Sequence, residues 1–297
     1  MSSLKEYRNR IASVKSTRKI TSAMKMVAAS KLKKSQEAAE ASQPYADTMQ
    51  YIMRHVASGL KIDDSSPLLL KGTGSDQVHL VVVMTANRGL CGGFNANIVR
   101  RARREIERIR SEGKEVRLIC VGRKGLDVLK REYSDIIIKS FLDFGGKEGP
   151  DYSAVEEINL FIIALFEEGG FDVCTLLYNR FKNVLTQMPT MKQLIPLELP
   201  DHEEEEEEQT EAPQIYKFEP GKDKLLEMLL PKNVATQIYH AMLDNAAGEQ
   251  AARMTAMDNA TSSAGDMIDR LTIKYNRERQ AVITTELIEI VSGAEAL

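Results

Sequence analysis

Apolar residues recur every three or four positions over the first stretch of this chain and again over the last. Between those stretches they run together in short blocks. Residues 3 to 57 hold one proline and no glycine, and residues 232 to 290 hold two glycines and no proline. At 1.5 Å per residue, either run read as a helix reaches roughly 80–90 Å. A helix of that length cannot be buried along its whole extent in a domain of this size. The pattern therefore predicts two terminal helices that pack on each other and project as a shaft.

Ser3-x-x-Glu6 has the form of a capping box at the start of the first helix. Leu4, Tyr7, Ile11 and Val14 then form a stripe. Ile20, Met24, Val27 and Ala28 continue it with a phase shift, and Tyr45, Met49, Ile52 and Val56 close it, so a strict heptad is not expected. Pro44 is expected to kink or loosen this helix. Gly59 and the Asp63–Pro67 cluster end it. At the other end, a helix from about Lys222 meets Pro231, expected to start or kink the long run. Ala246, Ala247, Ala251, Ala252, Ala256, Ala260 and Ala264 follow, small enough to let two helix axes approach closely.

The middle of the chain changes period. Val78–Met84 reads as a strand covered on both faces. A helix capped by Asn95 or Asn97 follows, with Ile98, Ala102, Ile106 and Ile109 inward and a stop near Gly113. Val116–Val121 is a second strand, Gly125–Glu132 a short helix and Ile136–Phe141 a third strand. Ser153-x-x-Glu156 opens a helix with Val155, Ile158, Ile162 and Leu165 on one face. Phe171–Tyr178 and Val184–Leu199 are further strands. Alternating strands and helices predict a Rossmann-like α/β domain with a largely parallel sheet. The fold expected is thus α/β plus a long coiled coil of the two terminal helices. Its segments are an N-terminal helix at 1–60, a linker at 61–76, the α/β domain at 77–199, an acidic loop and foot at 200–221, and a C-terminal helix at 222–297.

Charge sharpens the picture locally. The net charge of −3 conceals a basic start, where ten cations from Lys5 to Lys34 face Glu6 alone, and an acidic run of Asp201 with Glu203–Glu208. That run is too self-repelling to fold alone and reads as an exposed loop. The basic, Ser-rich start superficially resembles a transit peptide, but its helical pattern continues past Ala41. The cations surround the helix and Tyr7 alone among them is aromatic, which argues for docking against acidic protein loops and against nucleic acid. Cys91, Cys120 and Cys174 lack CxxC spacing, so neither a disulfide framework nor a zinc site is indicated. The longest apolar blocks fall short of the roughly 20 residues that span a membrane.

Candidate chemistry is sparse. Thr85–Asn95 is a glycine-rich turn between a strand and a helix, where a phosphate nest can form. It lacks the Lys-Ser/Thr of a P-loop, and Gly89, Gly92 and Gly93 do not have dinucleotide spacing. Gly122–Gly125 is no stronger. His55, His79, His202 and His240 have no ligand spacing, and no catalytic triad or paired carboxylates can be read. No catalytic, cofactor-binding or metal-ligating residue is assigned. The alternatives carried are a nucleotide-binding enzyme on the α/β domain and a non-rotating coiled-coil adaptor.

Ile11–Leu32 (IASVKSTRKITSAMKMVAASKL), Arg88–Gly93, Glu249–Met257 and Ile283–Ala296 together resemble the gamma subunit of the F-type ATP synthase, its central stalk. The resemblance spans almost the whole chain, and the acidic run is the main departure. It implies a rotor whose two terminal helices form an antiparallel coiled coil and which carries torque between a proton-driven c-ring and three alpha and three beta subunits, with the epsilon subunit beside its foot. Nucleotide sites then lie on the partners, and this chain needs no cofactor of its own.

The same resemblance implies which residues touch partners. Met24 and Lys25 match the position facing an acidic lever loop of beta. Arg8, Arg253, Gln280 and Thr284 match further contacts along the shaft, and the apolar end at Val291–Leu297, including Leu297, matches a bearing. Tyr216, Phe218 and Glu219 match the foot against the c-ring and epsilon, with Phe218 standing in place of a tyrosine. The implied location is the cytoplasmic side of a bacterial inner membrane, peripheral and held only through the complex. The matrix face of the mitochondrial inner membrane is the second reading.

Overall fold

The computed structural model describes residues 4–57, 66–142, 149–197 and 222–295. The chain divides into two units, one of residues 30–252 and one that joins residues 1–29 to 253–297. Helices α1 (Leu4–Ala57) and α6 (Lys222–Glu295) contribute to both. The larger unit adds α2 (Leu68–Lys71), β1 (Val78–Met84), α3 (Phe94–Ser111), β2 (Glu115–Val121), α4 (Arg123–Tyr133), β3 (Ile137–Phe141), α5 (Tyr152–Glu167), β4 (Val173–Phe181) and β5 (Gln187–Ile195).

In the larger unit the strands lie in the order β3-β2-β1-β4-β5. The first four pair in parallel, and β5 returns antiparallel on β4. Successive side chains of a strand point to opposite faces. Leu80, Val82 and Met84 accordingly pack in one core with Val155, Ile158 and Ile162 of α5, Met49 and Met53 of α1, and Leu230, Val234 and Ile238 of α6. Val81 and Val83 join Ile98, Ala102 and Ile106 of α3 and Leu129 of α4 in the other. Burying each such aliphatic side chain contributes roughly 1.5–3 kcal/mol. The apolar block at 78–84 is a strand covered on both faces, as its composition implied.

Several local expectations need correction. Helix α3 begins at Phe94 with Gly93 as its cap, so Asn95 and Asn97 lie inside it. The Asn95 carboxamide is diverted to accept the Ala86 N–H at 2.9 Å. Helix α5 begins at Tyr152 with Asp151 at its cap position, which places Ser153 and Glu156 within the helix and not at its start. Phe166, not Leu165, completes its buried face. The long C-terminal helix does not start at Pro231: α6 starts at Lys222 and runs through it, as α1 runs through Pro44. In α1 the Pro44 carbonyl accepts the Thr48 hydroxyl at 2.7 Å. The short helix α2 was not anticipated. Ser3 and the acidic run lie outside the described residues.

The seam of α1 also differs from expectation. Tyr45, Ile20 and Val27 are exposed, whereas Ala46, Thr21 and Ala28 are buried. No phase shift exists. The four-three spacing that begins at Leu4, Tyr7, Ile11 and Val14 continues through Arg18, Thr21, Lys25 and Ala28, where polar side chains occupy positions that a hydrophobic pattern would not reveal.

In the smaller unit α1 residues pair with α6 residues in opposite directions. Arg8 meets Tyr275, Thr21 meets Thr261, and Lys25 meets Asp258. This is an antiparallel helix pair. Met257, Ala264 and Ile268 are the buried apolar positions of α6 here, again at spacings near seven and four. Of the alanines expected to slim the pair, Ala264 is buried here, while Ala256 and Ala260 are half-buried.

Candidate partner-contact site

The crevice where a doubly wound sheet usually binds a ligand lies beyond the carboxyl ends of the strands, where strand order reverses. Here that point falls between β1 and β4. Helix α6 fills it. The carboxamide of Asn179 donates to the Phe94 carbonyl at 3.4 Å, and its backbone N–H donates to Asn245 Oδ1 at 3.5 Å. Both asparagines are buried. Gly248 lets α6 come this close, since a Cβ there would stand 3.1 Å from the Phe94 ring.

The neighbouring anion nest is filled as well. Helix N-termini bind phosphate through unsatisfied amides. At the start of α4 the N–H of Arg123 donates to Asn87 Oδ1 at 3.0 Å, that of Lys124 to the Ala86 carbonyl at 3.0 Å, and that of Gly125 to Thr85 Oγ1 at 2.8 Å. Gly122, at φ 104°, makes this turn possible: a Cβ would sit 2.2 Å from the Thr85 carbonyl oxygen. Thr85–Asn95 and Gly122–Gly125 are therefore one interlocked structural turn. Its tip, Arg88–Leu90, faces outward, with Leu90 63% exposed. The three cysteines are buried, and burial pushes the Cys120 thiol up to about 12.

In the helix pair the expected contact residues have distinct settings. The Arg8 guanidinium donates to the Tyr275 hydroxyl at 3.1 Å and lies 6.0 Å from the ring centre. That hydrogen bond raises the arginine and lowers the phenol relative to their ordinary values. Lys25 Nζ is 2.7 Å from Asp258 Oδ1, and Met24 beside it is half-buried. Arg253 is 9% exposed, so it is largely enclosed within its own chain. Gln280 and Thr284 are exposed one turn apart, and the Thr284 hydroxyl donates to the Gln280 carbonyl at 2.9 Å. Leu297, Tyr216, Phe218 and Glu219 lie outside the described residues.

Sequence reasoning missed Tyr275, Asp258 and Thr261, the α6 partners of the N-terminal helix. Their signal is the unbroken four-three spacing, which puts Arg18, Thr21 and Lys25 on the seam and asks for polar partners opposite. Extending the antiparallel register beyond Arg8 and Tyr275 puts Leu4 near residue 279. Residues 280–295 of α6 thus run on for about 24 Å without a described partner from α1. Ile283, Leu287, Ile288, Ile290 and Val291 are more than half exposed along that stretch. An apolar helix end of this kind marks an interaction surface.

The family described as ATP synthase matches residues 3–297. The ATP synthase gamma chain of Jannaschia sp. is 52% identical over 297 residues, covering 100% of both chains. That of Parvibaculum lavamentivorans is 53% identical with the same coverage. The chain belongs to the ATP synthase gamma chain family, the rotor of the central stalk. The fold agrees with solved members of such assemblies. A chain from the central stalk and c-ring structure of the Tetrahymena thermophila mitochondrial ATP synthase gives a TM-score of 0.58 at 26% identity, covering 81% of this chain and 99% of that one. A chain from the OSCP/F1/c-ring structure of the Euglena gracilis mitochondrial enzyme gives 0.68 at 20% identity, covering 99% and 94%. Among the described residues no gamma-chain helix here is long and apolar enough to cross a membrane.

Proposed function

We propose that this gamma chain transmits torque by presenting the α1–α6 pair to a ring of three alpha and three beta subunits while its foot follows a membrane c-ring and the epsilon subunit. The observation that carries this reading is the apolar overrun of α6 beyond Leu4, more than half exposed at five aliphatic positions. A single helix with an apolar surface fits a bearing, where it must turn against a smooth sleeve without forming lasting hydrogen bonds. The exposed Gln280 and Thr284 lie at the start of that overrun and serve as contacts that can be made and released.

Lower on the pair, Met24 and Lys25 are the contact to an acidic loop of beta, and Arg8 is a further cation along the same helix. Lys25 has its own carboxylate, Asp258, which competes with an outside one. Arg253 is a contact of smaller accessible area. The exposed Arg88–Leu90 tip is a docking loop for a neighbouring subunit. Tyr216, Phe218 and Glu219 are assigned to the c-ring and epsilon foot, and Leu297 to the bearing, on the family resemblance. The working location is the cytoplasmic face of a bacterial inner membrane, peripheral through the complex.

Co-expression with alpha, beta, epsilon and c subunits tests the assembly. All five are expected in one detergent-purified complex whose ATP hydrolysis responds to proton-motive force. A complex that forms and couples without this chain overturns the proposal.

A further inference from the structure

Helix α3 carries arginines that its own carboxylates do not balance. It holds Arg100, Arg101, Arg103, Arg104, Arg108 and Arg110 against Glu105 and Glu107. Three of these cations are committed within the domain. Arg103 binds Glu132 of α4 at 2.6 Å, Arg110 reaches Asp135 at 3.5 Å, and Arg108 holds Glu105 at 2.6 Å. Arg100, Arg101 and Arg104 are exposed and make no ion pair among the described residues; Arg100 donates to Asn97 Oδ1 at 3.5 Å. Like charges three or four residues apart repel on a helix, and Arg104 stands in that relation to Arg100, Arg101 and Arg108. Exposed Glu107 sets one negative charge against the three.

The cluster faces a definite side. Arg103 and Arg110 reach toward α4, which packs on β2 and β3. Arg101 is two positions from Arg103 and so about 160° away around the helix, on the opposite flank, with Arg100 and Arg104 on the crest between. Helix α3 packs on β4 and β5 as well as on β1 and β2, so that far flank looks toward the β5 edge of the sheet. Every large apolar side chain of α3 is buried, and the flank offers charge alone.

The most acidic segment of the chain departs from the same edge. Strand β5 ends at Ile195, and Leu197 is the last described residue before Lys222. Ile195 lies opposite Cys174, at the end of the sheet where α3 stops, and Arg104 is seven residues, about 10 Å, from that stop. Glu203–Glu208 stand six to eleven residues beyond Leu197, a span of about 20–40 Å when extended. The β5 edge is two strand spacings, about 10 Å, from β1 beneath α3. The fourteen residues from Glu208 back to Lys222 span up to about 45–50 Å. We infer that the acidic run of Asp201 and Glu203–Glu208 docks on this outer flank of α3, with its carboxylates against Arg100, Arg101 and Arg104. Guanidinium forks match carboxylates in bidentate pairs, and a tethered segment meets them at an effective concentration of about millimolar.

Spin labels on the purified full chain test this. Cys91, Cys120 and Cys174 are buried, so labels at Ser111→Cys and Gln209→Cys report alone. At low salt the label-to-label distances are expected in one narrow band. Salt at about 1 M, where the screening length is about 3 Å, should broaden that band about twofold or more. Arg100→Gln, Arg101→Gln and Arg104→Gln together should do the same at low salt. Arg100→Glu, Arg101→Glu and Arg104→Glu combined with Glu204→Lys, Glu206→Lys and Glu208→Lys should restore it. A band already broad at low salt overturns the inference. So does a narrow band that survives the three Arg→Gln changes, which puts the run against other cations. A fluorescent hexaglutamate peptide covers the remaining case, read as the binding that the three Arg→Gln changes remove. It should bind a chain with Glu203–Glu208 changed to Gln about tenfold or more tightly than the intact chain. Equal binding to both leaves the flank open to an acidic segment of another protein, and no binding that depends on these arginines leaves it to solvent; either overturns the inference.

Discussion

The hydroxyls of Thr21 and Thr261 lie 2.7 Å apart across the α1–α6 pair. Thr21 is buried, and its hydroxyl also lies 3.1 Å from the Arg18 carbonyl. Thr261 reaches the Met257 carbonyl at 2.7 Å. Two hydroxyl protons serve three contacts, so one of them is shared or passed across the seam. Either Thr21→Val or Thr261→Val alone is expected to cost about 1 kcal/mol, because the remaining hydroxyl loses its cross-helix partner. The double variant should cost less than the sum, and a double-mutant cycle in chemical denaturation measures the difference.

Lys25 and Asp258 form a partly exposed pair at 2.7 Å. Such pairs contribute about 0–1 kcal/mol, so Asp258→Asn should barely change the melting of the chain. On the proposed contact, it frees the Lys25 ammonium for an acidic loop of beta. Coupling of ATP synthesis to proton flow is therefore expected to fall while assembly is retained. Met24→Lys, which adds a cation beside it, should impair coupling in the same direction. Synthesis and hydrolysis rates in inverted vesicles check both, and normal coupling in both variants argues against a beta contact here.

Gly122 and Thr85 hold the turn that closes the anion nest. Gly122→Ala places a methyl against the Thr85 carbonyl at a left-handed φ, a backbone clash that no side chain can relieve. A loss of about 3 kcal/mol or more is expected. Thr85→Val removes the acceptor of the Gly125 N–H and should cost about 2 kcal/mol. Thermal unfolding of the purified chain reads both.

Asp244 is half-buried, and burial raises its carboxyl to about 6, against the opposing pull of Arg180 and a hydrogen bond from the Phe181 backbone. Its folded value lies above its unfolded one, so the folded state binds more protons between pH 4 and 6. That contribution favours the fold in acid and is lost as pH rises through about 6. Asp244→Asn keeps the shape and removes the charge. Allowing for solvent screening, it should stabilise the chain by about 1 kcal/mol at pH 7.5 and flatten stability between pH 4 and 6. Urea unfolding across that range checks the sign.

The order of strands and helices could be read from sequence because each buried strand is a continuous apolar block and each helix of the sheet has one apolar face. The apolar end of α6 was expected only from the family resemblance and only at Val291–Leu297; the exposed aliphatic run begins earlier, at Ile283. The helix seam was not legible. Arg18, Thr21 and Lys25 occupy seam positions as polar residues, so a reading based on hydrophobicity drifted to Ile20 and Val27, which are 57% exposed. Helix starts were also misplaced where a cap-forming type had another task, as Asn95 does in holding Ala86. That α6 fills the ligand crevice through Asn245 and Gly248 is a long-range relation, invisible in local spacing.

The central claim is rotation. A bead fixed to the α/β domain of this chain, within surface-immobilised alpha and beta subunits and supplied with ATP, should turn continuously in one direction at a rate that follows hydrolysis. ATP hydrolysis by that assembly with the bead stationary would contradict the account.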